Sequence, residues 1–143
     1  QQMAPTHLIR LELPVEKVYV IADSDSIGQV VTNYLSNALK YSAIDQPIDV
    51  TLHVEERAAR LSVHDEGPGL PHSEQERVWE RFYRVPGLEV QSGSREGLGL
   101  GLHISRTIIE RHQGQVGIQS APGEGSTFWF TIPLASTPSI GTE

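Results

Sequence analysis

Cysteine is absent from the chain. That excludes disulfides, thiolate nucleophiles and zinc sites built on sulfur. Apolar runs long enough to cross a bilayer, roughly 20 residues, are absent too, and the first residues lack the layout of a signal peptide. No basic cluster interrupts a formal net charge of -7, which argues against a nucleic-acid partner. Several catalytic signatures are also missing. There is no Gly-x-Ser-x-Gly, no His-Glu-x-x-His and no Walker-type Gly-x-x-x-x-Gly-Lys-[Ser/Thr]. The six histidines (His7, His53, His64, His72, His103 and His112) have no metal-ligand spacing, so each reads as structural. At 143 residues and 38% hydrophobic content, the chain fits one globular domain with one core. The expected location is cytoplasmic, with no membrane contact by the domain itself.

Residues 97–102 read Gly-Leu-Gly-Leu-Gly-Leu and lead into an amphipathic helical pattern ending near His112. Glycine gives up about 1 kcal/mol to alanine in a helix, so something must need a bare backbone there. A phosphate chain against amide N–H groups and the positive helix end is the usual reason. The run does not follow a strand, as a dinucleotide fingerprint would.

Around it, alternation predicts strands at residues 8–13, 18–22, 48–54, 60–64, 115–120 and 126–134. Residues 55–59 and 122–125 read as hairpin connections, and residues 1–7 and 136–143 as loose ends. Asp23-Ser-Asp-Ser supplies N-cap chemistry for a helix over 25–42, whose apolar face holds Ile27, Val30, Val31, Tyr34, Leu35, Ala38 and Leu39. Ser73 and Glu76 have capping-box spacing at the start of a short helix over 73–82. The element order implies an α+β two-layer sandwich. A mixed, mostly antiparallel sheet of about five strands carries about three helices on one face.

Asn33, Asn37 and Lys40 fall within an arc of about 60° on the first helix. An Asn oxygen suits Mg2+, and a Lys can neutralise phosphate. Asp65 follows a strand and precedes Glu-Gly-Pro-Gly. A carboxylate there can accept an exocyclic amine, while Gly67 and Gly69 let the backbone pass close to a ring. Arg81-Phe-Tyr-Arg84 sets two guanidiniums beside two aromatics, and guanidinium is a bidentate phosphate donor.

In order, these pieces resemble the catalytic ATP-binding domain of bacterial sensor histidine kinases, of the GHKL group with the Bergerat fold. Asn33-Tyr-Leu-Ser-Asn-Ala-Leu-Lys-Tyr-Ser42 is similar to the N box, Asp65-Glu-Gly-Pro-Gly69 to G1 and Glu80-Arg-Phe-Tyr-Arg84 to the F box. Gly97-Leu-Gly-Leu-Gly-Leu102 is similar to G2, and Gly123-Glu-Gly-Ser-Thr-Phe128 to the last glycine motif. The resemblance covers about residues 25–134.

The resemblance implies ATP and Mg2+ as cofactors, with Asn37 as metal ligand and Asn33 beside it. Lys40 and Tyr41 would meet phosphates or ribose, and Asp65 would read the adenine amine, with Gly67, Gly69 and Leu70 lining the base pocket. Phe82 would clamp the loop, Arg84 would approach the γ-phosphate, and Gly97, Leu98, Gly99, Leu100, Gly101 and Leu102 would wrap the phosphate chain. Thr127 would lie near Asp65. Asn33, Lys40 and Arg84 would be the catalytic set, and residues 71–96 an ATP lid within a domain over 8–135.

The implied partners are ATP, a helical dimerisation and phosphoacceptor domain of the same parent protein, and a response regulator. No histidine in the chain sits in a His-Glu/Asp-x-x-Thr/Asn-Pro sequence. The expectation is therefore Mg-ATP binding without autophosphorylation by this chain alone. The rival readings are a GHKL ATPase, an anti-sigma-type serine kinase and an inert nucleotide-sensing module.

Overall fold

Asp23 starts the first helix by giving Oδ2 to the backbone N–H of Ser26 at 2.9 Å and to its hydroxyl at 2.5 Å, which satisfies donors the helix cannot. This helix, α1, runs Ser24–Tyr41 and buries Val30, Tyr34 and Ala38. Ile27, Val31, Leu35 and Leu39 pack partly buried beside them, so the apolar stripe expected from the periodicity is the stripe that packs. The structure, a computed structural model, describes residues 8–43, 45–81, 83 and 101–135.

The strands are β1 (Ile9–Glu12), β2 (Ile48–Glu55), β3 (Ala58–Asp65), β4 (Gln115–Ser120) and β5 (Ser126–Pro133), with a second helix α2 at Gly101–Arg111. They form one sheet in the order β1-β2-β3-β5-β4. β1 and β2 are parallel, as expected when a helix makes the connection. The other three pairings are antiparallel. Alternation along β5 sends Ser126, Phe128, Phe130 and Ile132 inward, to meet Val50, Val63, Tyr34 and Ile109 in one core. The helices cover that face. On the opposite face the Arg60 guanidinium lies 3.9 Å from the ring centre of Trp129.

Three expectations need correction. Residues 18–22 do not form a strand: Val20 makes a single bridge to Leu134, beside Pro133, which has no N–H to extend a ladder. Residues 73–82 do not begin on a capping box. Pro71 precedes the first turn without a side-chain cap, and the segment is two short 3-10 turns, His72–Glu74 and Arg77–Trp79. The cause is tertiary. Val78 and Trp79 are buried, and the Trp79 ring meets Phe128 edge-on with centroids 5.8 Å apart, which fixes the backbone where a regular helix would carry the ring away. The start of the expected lid is therefore anchored to the core, and residues 84–96 lie outside the described residues. The β2–β3 connection is also tighter than expected, with the strands reaching Glu55 and Ala58 around a turn where Glu56 has φ 53°.

Candidate active site

Three pieces converge along one edge of α1. At its C-terminal end stands Asp65, the last residue of β3, only 2% exposed. The N–H of Gly67 donates to Asp65 Oδ1 at 2.8 Å, and Oδ2 has no hydrogen bond to a described residue. Burial pushes this carboxyl up to about 6, against the pull of the Gly67 bond and the nearby His64, with Glu66 adding to the rise. A buried carboxylate with one oxygen held and one open is an acceptor waiting for a donor.

The loop after it has little room for side chains. A Cβ at Gly67 would stand 2.3 Å from the Tyr41 carbonyl oxygen, which closes the loop against the end of α1. Gly69 has φ +76°, and a Cβ there would meet the Ala121 oxygen at 1.9 Å. Leu70 itself belongs to the core cluster.

At the other end, Asn33 reaches the start of α2. Its Nδ2 donates to the Gly101 carbonyl at 3.2 Å and to the Ser105 hydroxyl at 3.1 Å, and Ser105 is fully buried. Both amide protons are thus committed to aligning α2, which leaves only the carboxamide oxygen of this residue for a metal or phosphate-bound water. Leu102 packs against the core. Gly101 has room: the nearest atom to a Cβ there would be Asn33 Cγ at 3.7 Å. Between the two ends, Asn37, Lys40 and Tyr41 are half-buried on α1. The Asn37 amide makes no hydrogen bond to a described residue. From Asn33 to Tyr41 the edge rises about 12 Å at 1.5 Å per residue.

Thr127 is the residue the structure moves. Its hydroxyl bonds His64 Nδ1 at 2.7 Å, on the face away from the helices, while His64 Nε2 lies 3.1 Å from Glu66. The residue opposite Asp65 in the ladder is Ser126, buried at 6% exposure and 2.8 Å from the Ser120 hydroxyl. The parity of Phe128, Phe130 and Ile132 carried this signal: residues an even number of places back point inward. Ser120 and Gln75, which hold the Asp65 loop from behind, carry no such signal. Phe82, Arg84, Gly97, Leu98, Gly99 and Leu100 lie outside the described residues. Among the described residues no cluster of three His, Asp or Glu offers a metal cage, and no helix is long and apolar enough to cross a membrane.

The family model for histidine kinase-, DNA gyrase B- and HSP90-like ATPases matches residues 22–136. The chain belongs to this ATPase family. Within it, the relatives are sensor kinases. The adaptive-response sensory kinase SasA of Prochlorococcus marinus is 38% identical over 127 residues, covering 88% of this chain and 32% of its own. The sensor histidine kinase WalK of Bacillus subtilis is 40% identical over 123 residues, covering 85% and 20%. Among solved structures, the mycobacterial sensor histidine kinase MprB superimposes with a TM-score of 0.73 at 31% identity, covering 90% of this chain and 84% of that one. Full-length ShkA, solved with AMPPNP, reaches 0.75 at 26% identity, covering 91% and 26%. The domain thus groups with the ATP-binding domains of sensor histidine kinases, and it spans a third or less of the SasA and WalK chains it matches.

Proposed function

We propose that this domain binds Mg-ATP along the α1 edge and donates the γ-phosphoryl group to a histidine on a separate helical domain. The observation that carries the reading is Asp65: a buried carboxylate held by Gly67 on one oxygen, with no described residue bonded to the other. At neutral pH, above its value of about 6, it is charged and can accept the adenine amine. Ser126, on the same face, takes the place expected for Thr127. The roughly 12 Å edge from Tyr41 to Asn33 then carries sugar and phosphates toward the N-terminus of α2, whose dipole favours anions.

Lys40 neutralises phosphate oxygens, with Arg84 and the Gly97–Gly101 backbone completing the phosphate end. Asn37, whose amide bonds no described residue, would hold Mg2+ through its carboxamide oxygen, an oxygen donor that suits this hard ion. A Mg2+ ion held there would offset charge on the transferring group. The acceptor histidine nitrogen forms a bond to the γ-phosphorus as the bond to the ADP oxygen breaks. Asn33 supports transfer over hydrolysis: a carboxamide is no base for water, and its protons are already bound to α2.

Thermal unfolding with and without Mg-ATP tests the binding. At 100 times Kd the expected stabilisation is about 2.7 kcal/mol, and Asp65→Asn or Asn37→Asp removes most of it. With γ-labelled ATP this chain alone stays unlabelled, and its helical partner domain becomes labelled when added. A stable acid-labile label on the chain's own histidines contradicts the transfer reading.

A further inference from the structure

The Ser120 hydroxyl, at the end of β4, joins three segments. It accepts the Leu70 N–H at 2.7 Å, lies 2.9 Å from the Gly125 carbonyl oxygen and 2.8 Å from the Ser126 hydroxyl. A carbonyl only accepts, so the one Ser120 proton goes to Gly125 and the remaining lone pair takes the proton of Ser126. Ser120 is then saturated, and the Ser126 oxygen is left as an acceptor on the face it shares with Asp65. Gln75 closes the grip from the other side. Its Nε2 donates to the Leu70 carbonyl at 3.2 Å and to the Ser120 carbonyl at 2.8 Å.

Leu70 is thereby held at both its N–H and its C=O, by side chains 50 and 5 residues away. Gly67 is pinned to α1 at one end of the loop, and Leu70 is pinned to β4 and the first 3-10 turn at the other. A hydrogen bond discriminates between bases only if its acceptor is held within about 0.5 Å of the productive position.

We propose that Ser120 and Gln75 are positioning residues for base selection. They fix the Gly67–Leu70 path, and through it the aim of Asp65 and the acceptor state of Ser126, without touching nucleotide. The proposal rests on Asp65 as the base reader.

The test compares Mg-ATP with Mg-ITP, whose base has a carbonyl where adenine has the amine, by calorimetric titration of the 143-residue chain. Ser120→Ala and Gln75→Ala should each weaken ATP binding about tenfold and leave ITP within twofold. Ser120→Thr, which keeps the hydroxyl, should restore the ATP preference. Equal weakening of both nucleotides, or no change in the ratio, overturns the proposal. Gln75 lies outside the strands, so Gln75→Ala carries the test if Ser120→Ala does not fold. Asp65→Asn separates the two levels. If it collapses the ratio while Ser120→Ala and Gln75→Ala preserve it, only the positioning proposal fails. If it preserves the ratio, the Asp65 reading falls and the proposal with it.

Discussion

The two ends of the groove are built in opposite ways. The Asp65 end is backbone: a five-residue turn wedged between the Tyr41 and Ala121 carbonyls, where a Cβ at Gly67 or Gly69 would stand 2.3 or 1.9 Å from an oxygen. The Asn33 end is side chains on a helix, with room beside Gly101 and, further along the edge, an Asn37 amide that bonds no described residue. A flat base is recognised by fixed acceptors, so rigidity serves it. A flexible, hydrated phosphate chain is met by groups that can adjust. Glycine consequently means two things in one site: steric necessity at one end, open backbone at the other.

Substitutions can break this contrast. The largest effect is expected at Gly69→Ala, where positive φ and a carbonyl in the way should cost on the order of 3 kcal/mol in chemical denaturation. Gly101→Ala should leave stability unchanged or raise it by up to about 1 kcal/mol while weakening ATP. Equal destabilisation at both glycines erases the difference between the ends.

Next comes Asp65→Asn, which should stabilise the nucleotide-free domain at pH 7. The folded carboxyl sits at about 6 against an ordinary 3.8. Between those values the folded state keeps a proton the unfolded state has released, so stability falls as pH rises from about 4 to 6 and stays low above. The full penalty is of order 2–3 kcal/mol. The gap in Tm between variant and parent should therefore close on acidification below about pH 4. A constant gap across that range would show that burial does not strain this group.

A smaller effect belongs to the helix pair. Asn33→Ala loses both bonds to α2 and should cost about 1–2 kcal/mol, whereas Asn37→Ala should cost under about 0.5 kcal/mol and still lose the Mg-ATP shift. The smallest effect is Thr127→Val, which should leave ATP affinity within twofold. Ser126→Ala should lower it severalfold, and the reverse ranking would show that strand parity misassigns the face.

Much of this was readable in one dimension. The α1 stripe, its Asp23 cap and the strand alternation follow from periods of 3.6 and 2. Asp65 and the glycines follow from a carboxylate at a strand end and a turn no regular element tolerates. What failed depends on contacts distant in sequence. Ser73 and Glu76 have the right spacing for a helix start, yet docking of Trp79 on Phe128 decides that segment. The β3–β5 pairing brings Asp65 to Ser126 across 61 positions, and nothing local announces it. Helix geometry puts Asn33 on one arc with Asn37 and Lys40, but the partners of its amide protons, Gly101 and Ser105, lie 68 and 72 positions away. Thr127 is a different kind of miss, because the alternation of β5 already held the answer.

Arg60 over Trp129 has an experimental consequence. The chain has two tryptophans, and they lie on opposite faces of the sheet. Trp79 is buried among Tyr34 and Phe128 on the helix side, while Trp129 is half-buried under a cation on the open side. Their fluorescence reports on different layers. Removing Trp129 as Trp129→Phe leaves a single tryptophan in the core cluster to which Leu70 also belongs, so its wavelength becomes an optical gauge of how tightly that core is packed.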